Sequence, residues 1–216
     1  MSYIISNWEQ VVSLTLEHLW IVIVAMAFST ALGVPMGIIA AQVPKTGPWI
    51  LGVFGIFYLI PSLALFAILV PLVGLGQQPA IIGLVLYSQL PIVRNTATGL
   101  TNVDSSLIEA AEGMGMTRLQ RLWMVELPVA TPAIVAGLRV AAVMTVGVAT
   151  IAAYVGAGGL GNLIFRGMQL LYPEMVVAGA LPAALMAIVV DLLFVGLERL
   201  TSRHSQSRQL ERGYAT

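Results

Sequence analysis

Residues 19–41 run for 23 positions without one charged side chain. At ~1.5 Å per residue a helix of that length reaches ~35 Å, enough to cross the ~30 Å hydrocarbon core of a bilayer. A second uncharged run covers 50–73, and the turn-like stretch 74–79 separates it from a third segment, 79–93, which continues past Arg94 towards Leu100. Residues 130–155, carrying Arg139, and 175–197, carrying Asp191, make a fourth and a fifth. With 58% hydrophobic and 9% charged residues and a mean hydropathy of +0.93, a water-soluble helical domain would expose more apolar surface than water tolerates. The expectation is an all-α membrane protein with about five transmembrane helices.

Prolines recur inside the runs, at Pro35, Pro61, Pro71, Pro91 and Pro182. Membrane helices accept them where neighbours satisfy the freed carbonyls, which suits either kinked packing or bent helices lining a pathway. Gly33-x-x-x-Gly37 permits close helix contact. A formal net charge of zero argues against nucleic acid held by electrostatics. The absence of cysteine excludes disulfides and thiolate metal sites. His18 and His204 lie outside the long runs, and residues 1–18 contain no Lys or Arg of a signal-peptide n-region.

Orientation follows from the cations. Alternating five spans puts 1–18, 74–79 and 156–174 on one side, and 42–49, 94–128 and the tail after Glu198 on the other. The second side holds Lys45, Arg94, Arg118, Arg121, Arg199, Arg203, Arg208 and Arg212; the first holds only Arg166. Eight against one is a positive-inside bias that places the N-terminus outside and the C-terminus in the cytosol. The corresponding division is an extracytoplasmic tail (1–18), one permeating membrane domain (19–198) with a cytosolic segment at 101–128, and a basic cytosolic tail (199–216).

That cytosolic segment is polar where the chain is not: EAAEGMGMTRLQRLWMVELP, residues 109–128, holds five charges in twenty positions. Ser106-Leu-Ile-Glu109 and Thr117-Arg-Leu-Gln120 both match a capping box. They predict one helix from about Leu107 to Glu112, stopped by Gly113 and Gly115, and a second from about Arg118 to Glu126, ending before Pro128. Leu119, Leu122 and Trp123 share a face of the second helix, away from Arg118, Arg121 and Val125. Such a pair is too apolar to sit idle in water and too charged to enter lipid. It suits the membrane surface or a partner protein.

Glu109-Ala110-Ala111, Gly115 four residues on, and Val125-Glu126-Leu127-Pro128 after nine more resemble the EAA signature of ABC-importer permeases. Val125 stands where that family commonly has isoleucine. The resemblance implies a MetI-like permease fold. In that fold Glu109, Ala110, Ala111 and Gly115 sit at the docking surface for an ABC ATPase subunit, and Leu127 and Pro128 set the return to the membrane. Capping its own helix is the competing role for Glu109. Ile60-Pro61-Ser62-Leu63-Ala64-Leu65, Gln78-Pro79-Ala80-Ile81-Ile82, Leu90-Pro91-Ile92-Val93-Arg94-Asn95-Thr96 and Gly156-Ala157-Gly158-Gly159-Leu160-Gly161 resemble the branch that imports glycine betaine, choline and carnitine. This likeness covers about 55–168.

The resemblance implies an alternating-access pathway built from two copies of the chain, or from this chain and a sister permease. An extracytoplasmic substrate-binding protein would deliver solute to the outer turn at Gly156, Gly158, Gly159 and Gly161. Tyr87, Ser88, Asn95, Thr150 and Tyr154 are candidate pathway residues, with packing as the alternative for each. Quaternary ammonium recognition draws on aromatic faces, and at 7% aromatics the main cage is expected in the binding protein. Because no G-x-x-x-x-G-K-[ST] is present, the chain is expected to bind no cofactor itself, ATP and Mg being used by the partner ATPase. Gly156-x-Gly158-x-x-Gly161 fits a dinucleotide fingerprint only in letters, since it follows a span rather than a strand. Neither H-E-x-x-H nor G-x-S-x-G occurs, and no enzymatic activity is expected.

Arg139 and Asp191 are the ionisable residues inside the runs. Arg139 can snorkel to the cytosolic interface, and an Arg139–Asp191 bridge is conceivable. An importer of amino acids such as methionine is the alternative within the class. A secondary transporter or channel is the alternative outside it, disfavoured by the single intramembrane acid.

Overall fold

The computed structural model describes residues 2–43 and 45–213, with side chains for 3–43 and 45–201. Arg203, Arg208 and Arg212 of the charge balance, His204, and the end of the basic tail have side chains outside the described residues. Among the described residues the chain is helical, with no strand. In order, the helices are α1 (Ser2–Ser6), α2 (Trp8–Gln42), α3 (Gly47–Leu59), α4 (Ser62–Val73), α5 (Gln77–Thr101), α6 (Ser105–Gly113) and α7 (Arg118–Arg121). They are followed by α8 (Leu127–Ala152), α9 (Gly161–Gln169) and α10 (Pro173–Gly213).

Among the described residues, three helices are long and apolar enough to cross a membrane: Trp8–Gln42, Arg118–Val155 and Pro173–Thr201. The pair α3–α4 makes a fourth if it counts as one span. The run 50–73, expected as one span, is bent by 98° between its two helices. Pro61 has no N–H to continue the ladder, and it holds Ile60 in extended backbone at φ −68° and ψ 128°. Pro35, Pro71, Pro91 and Pro182, by contrast, all lie within helices.

The expected third span, α5, has the length, 25 residues, but is not among the helices apolar enough to cross, and it packs at the centre of the bundle. Its largest contacts are with α2 on one side and α8 on the other, so Ser88, Gln89 and Thr96 are buried against protein rather than lipid. The Gly33-x-x-x-Gly37 pair makes the α2–α5 approach possible. A Cβ on Gly33 would lie 2.7 Å from Ile92 Cγ2, and one on Gly37 would lie 2.7 Å from Thr96 Cγ2. Gly37→Leu is therefore expected to force the two helices apart, at a cost of about 1–3 kcal/mol or more. A drop of several degrees in the thermal midpoint of the detergent-solubilised chain would register this; an unchanged midpoint would contradict the contact.

Residues expected as an N-terminal tail are helical, forming α1 and the first turns of α2. His18 is fully buried, with Nε2 3.1 Å from the Val146 carbonyl of α8. Glu17 accepts from the Gly159 N–H (2.8 Å), and Gly76 N–H donates to Val155 O (2.8 Å). These contacts gather the early part of α2, the start of α5 and the 156–161 turn at one end of the bundle. At the other end, Gln42 Nε2 donates to Glu126 Oε2 (2.7 Å), joining the close of α2 to the start of α8. The main core lies towards the first end and unites Ile21, Ala25, Phe66, Leu84, Val146 and Ala152 from α2, α4, α5 and α8. Outward-facing Trp20, Phe28 and Leu32 on α2, and Leu185, Ile188, Leu192 and Leu193 on α10, stay exposed. Such apolar flanks are stable in hydrocarbon and costly in water.

Candidate functional site

The 105–128 segment folds locally, as two short helices around a glycine turn. α6 is capped by Asp104, whose carboxylate accepts from the Ser106 N–H (2.9 Å). Both Asp and Ser suit a helix start, and the structure selects the aspartate two residues upstream of the expected Ser106. That backbone hydrogen bond draws the Asp104 carboxyl below its ordinary pKa. Glu109 is exposed and makes no capping bond, which leaves it available on the outer face. Ala110 is exposed beside it, whereas Ala111 is buried.

Gly115 takes φ +77°, a left-handed turn that costs glycine little. Its neighbour Met116 then donates its N–H to Ala111 O (3.1 Å), closing α6. α7 begins with the expected capping box: Thr117 Oγ1 accepts from Gln120 N–H (3.3 Å), and Gln120 Oε1 accepts from Thr117 N–H (2.9 Å).

The second helix does not stop before Pro128. Residues Leu122–Glu126 form one π turn, with Leu127 N–H reaching back five residues to Leu122 O, and the chain runs on as α8. Pro128 follows directly on that π turn, and the helix continues through it rather than ending. The fourth span thus extends back to Arg118, continuous with the segment it was expected to leave.

Sequence reasoning missed what holds the segment still. Glu126 is buried at 4% exposure; its carboxylate accepts from Arg121 Nε (2.6 Å) and from Gln42 Nε2 (2.7 Å). The Arg121 guanidinium also pairs with Glu112 on α6. One buried carboxylate therefore ties α6, the π turn and the end of α2 together, while Met114, Leu119, Trp123 and Met124 project outward, each more than 60% exposed. Leu127 is half-buried and Pro128 exposed. An exposed apolar and acidic face thus rests on a buried, hydrogen-bonded base.

The glycine turn sits at the opposite end. Gly156, Gly158 and Gly159 all have positive φ, at 81°, 89° and 72°. Gly159 is pressed on α2, where a Cβ would meet His18 Nδ1 at 2.9 Å. Gly161 differs from the other three: it opens α9, an amphipathic helix that was not foreseen within the expected outer turn.

The five pathway candidates are not brought together. Tyr87 is buried and donates its hydroxyl to the Ile60 carbonyl that the Pro61 break leaves open. Ser88 is buried and joins α5 to α8 through Thr145 Oγ1 (2.9 Å). Asn95 is half-buried, with Nδ2 on Pro91 O (2.8 Å), and Thr150 Oγ1 donates to Gly147 O (2.7 Å). Tyr154 lies one turn beyond Thr150, 60% exposed, at the α9 end.

The conceivable bridge is present and larger than expected. Arg139 of α8 is bidentate on Asp191 of α10, Nε to Oδ1 at 2.6 Å and Nη2 to Oδ2 at 2.9 Å. Its Nη1 reaches Glu198 Oε2 at 3.1 Å. Glu198 lies seven residues after Asp191 on the same helical face, one residue past the uncharged end of the 175–197 run.

Residues 33–203 match the family model described as binding-protein-dependent transport system inner membrane component. The chain is 43% identical to the osmoprotectant import permease protein OsmW of Salmonella typhimurium, over 91% of this chain and 94% of that one. It is 41% identical to the carnitine transport permease protein OpuCB of Listeria monocytogenes, over 91% of each. The choline transport system permease protein OpuBB of Bacillus subtilis is 39% identical over 92% of each. In fold the chain is similar to the MetNI methionine ABC transporter in an inward-facing conformation, with a TM-score of 0.82 and 23% identity over 88% of this chain and 95% of that one. The chain therefore belongs to the family of inner membrane components of binding-protein-dependent transport systems.

Proposed function

We propose that this chain forms the translocation pathway of an ATP-driven importer for quaternary ammonium osmoprotectants, the class that includes glycine betaine, carnitine and choline. One observation carries the reading. The likeness to permeases named for these solutes extends over about nine-tenths of the chain, not merely over the 109–128 signature. The methionine alternative has a likeness of fold on its side, at 23% identity.

On this reading five spans cross the membrane, formed by α2, the bent pair α3–α4, α5, α8 and α10. The glycine turn and α9 face outward with residues 1–18, and 101–128 and 199–216 face the cytosol. Glu109, Ala110, Ala111 and Gly115 contribute to an ATPase-docking surface, with Leu127 and Pro128 at its membrane edge. The Glu126 clamp would pass movement of that surface directly into α8 and α2. A second permease chain completes the pathway, and an extracytoplasmic binding protein docks over the glycine turn. No cofactor is held by this chain; ATP and Mg belong to the partner ATPase.

Uptake of labelled glycine betaine into vesicles holding the whole complex is the test. ATP-dependent uptake supports the reading, and uptake that ignores ATP but follows a proton gradient contradicts it. Glu109→Lys is expected to abolish co-purification of the ATPase while the chain stays in the membrane; undiminished co-purification would contradict the docking role.

A further inference from the structure

The cytosolic signature leaves one sequence feature unexplained: Arg166, the single cation on the outward side of the charge balance. It lies on α9, where Asn162, Phe165, Arg166 and Gln169 follow an i, i+3, i+4, i+7 spacing and so share one face. The other face, with Leu163 and Gly167, is buried in the bundle. All four, with Leu163 beneath them, line one open cleft of about 520 Å³, within the range that holds a small organic solute. Tyr154 lines it beside Phe165, with the two rings edge-to-face at a centroid distance of 4.9 Å and an angle of 89°. Gln10 of α2 supplies a further polar group.

Two chemistries therefore meet in one cavity. The two rings at right angles form an aromatic corner, which attracts a quaternary ammonium through its π faces. Arg166 makes no ion pair among the described residues, so its guanidinium is free to take a carboxylate in a charge-assisted, bidentate pair. The guanidinium also repels any ligand that is purely cationic. An anion alone would leave the aromatic corner unused, and a bare cation would face Arg166.

We propose that this cavity is a receiving site in the permease itself for a small zwitterion bearing both a quaternary ammonium and a carboxylate, with Arg166 on the carboxylate and Tyr154 and Phe165 on the ammonium. The proposal rests on the importer reading and sharpens it. It makes Arg166 a specificity residue that favours glycine betaine and carnitine over choline, which has no carboxylate.

The test uses the permease–ATPase complex in lipid nanodiscs without the binding protein, with glycine betaine and choline as separate probes followed by saturation-transfer NMR. Wild type is expected to bind glycine betaine saturably and choline at least about tenfold more weakly. Arg166→Gln should weaken glycine betaine about tenfold, the scale of losing one charge-assisted pair, and leave choline equal or tighter. Arg166→Lys should keep betaine binding within a few fold, and Tyr154→Leu should weaken both ligands. Saturable betaine binding that Arg166→Gln leaves unchanged, or equal loss of both probes in that variant, overturns the site. So does absence of binding in a complex that still imports betaine with its binding protein. A complete complex that imports none of these solutes instead overturns the importer reading, and the site falls with it.

Discussion

Glu126→Ala is expected to leave the chain in the membrane but to remove most ATP-coupled transport. The carboxylate it deletes is buried and accepts from Arg121 and Gln42. Its loss strands the Arg121 guanidinium, whose side chain is only 15% exposed, with Glu112 as its remaining partner. Removing one member of a buried pair costs about 3–5 kcal/mol when the other charge is left with no partner, and less here because Glu112 still pairs with Arg121. That cost falls on the joint between the exposed 105–128 face and two long helices. Force applied to the face would flex the joint rather than move α8. Glu126→Gln preserves the shape and one acceptor and should lie between. Substrate-stimulated ATPase activity of the complex, read against basal activity, checks this: stimulation should be lost in the alanine variant while basal turnover persists. Full stimulation would show that the clamp transmits nothing.

Arg139→Leu is expected to have an equally large effect by a different route. Arg139 stands between Asp191 and Glu198 on the contact of α8 with α10, on a helix whose large side chains mostly face outward. Without the guanidinium, two carboxylates remain together in a largely apolar setting, where each disfavours the other. Membrane abundance of the variant should fall severalfold. Adding Asp191→Leu should recover most of it, since Glu198 lies about two turns nearer the end of the helix and can reach water. Defects that merely add in the double variant would mean that the bridge is incidental.

The large features were legible because a bilayer imposes its own length scale. A 23-residue uncharged run can do little else than cross or pack. The Thr117 capping box and the Gly115 turn were equally legible, because their hydrogen bonds close within three to five residues of sequence. What sequence reasoning could not reach involves residues far apart along the chain. Gln42 and Glu126 are 84 positions apart, and nothing in either segment's periodicity pairs them. Glu17 and Gly159 are 142 apart, which is why residues 1–18 looked like a tail.

Prolines mislead for a related reason. Pro61 breaks its helix and Pro91 does not, although both sit in apolar runs. At Ile60 the open carbonyl finds the Tyr87 hydroxyl, a partner supplied by a neighbouring helix. Polar residues in α5 lowered its apparent fitness as a span because hydropathy cannot see that α2 and α8 enclose it.

The most direct measurement uses the chain's lack of cysteine, which makes single-cysteine reporters clean. Met114→Cys and Asn162→Cys place a thiol on exposed positions at the two ends of the bundle. With a membrane-impermeant maleimide, intact cells stripped of any outer barrier should label position 162 and not 114, and inverted vesicles should label 114 and not 162. Labelling of 114 from outside the cell would contradict the account, because no ATPase could then reach the surface on which it depends.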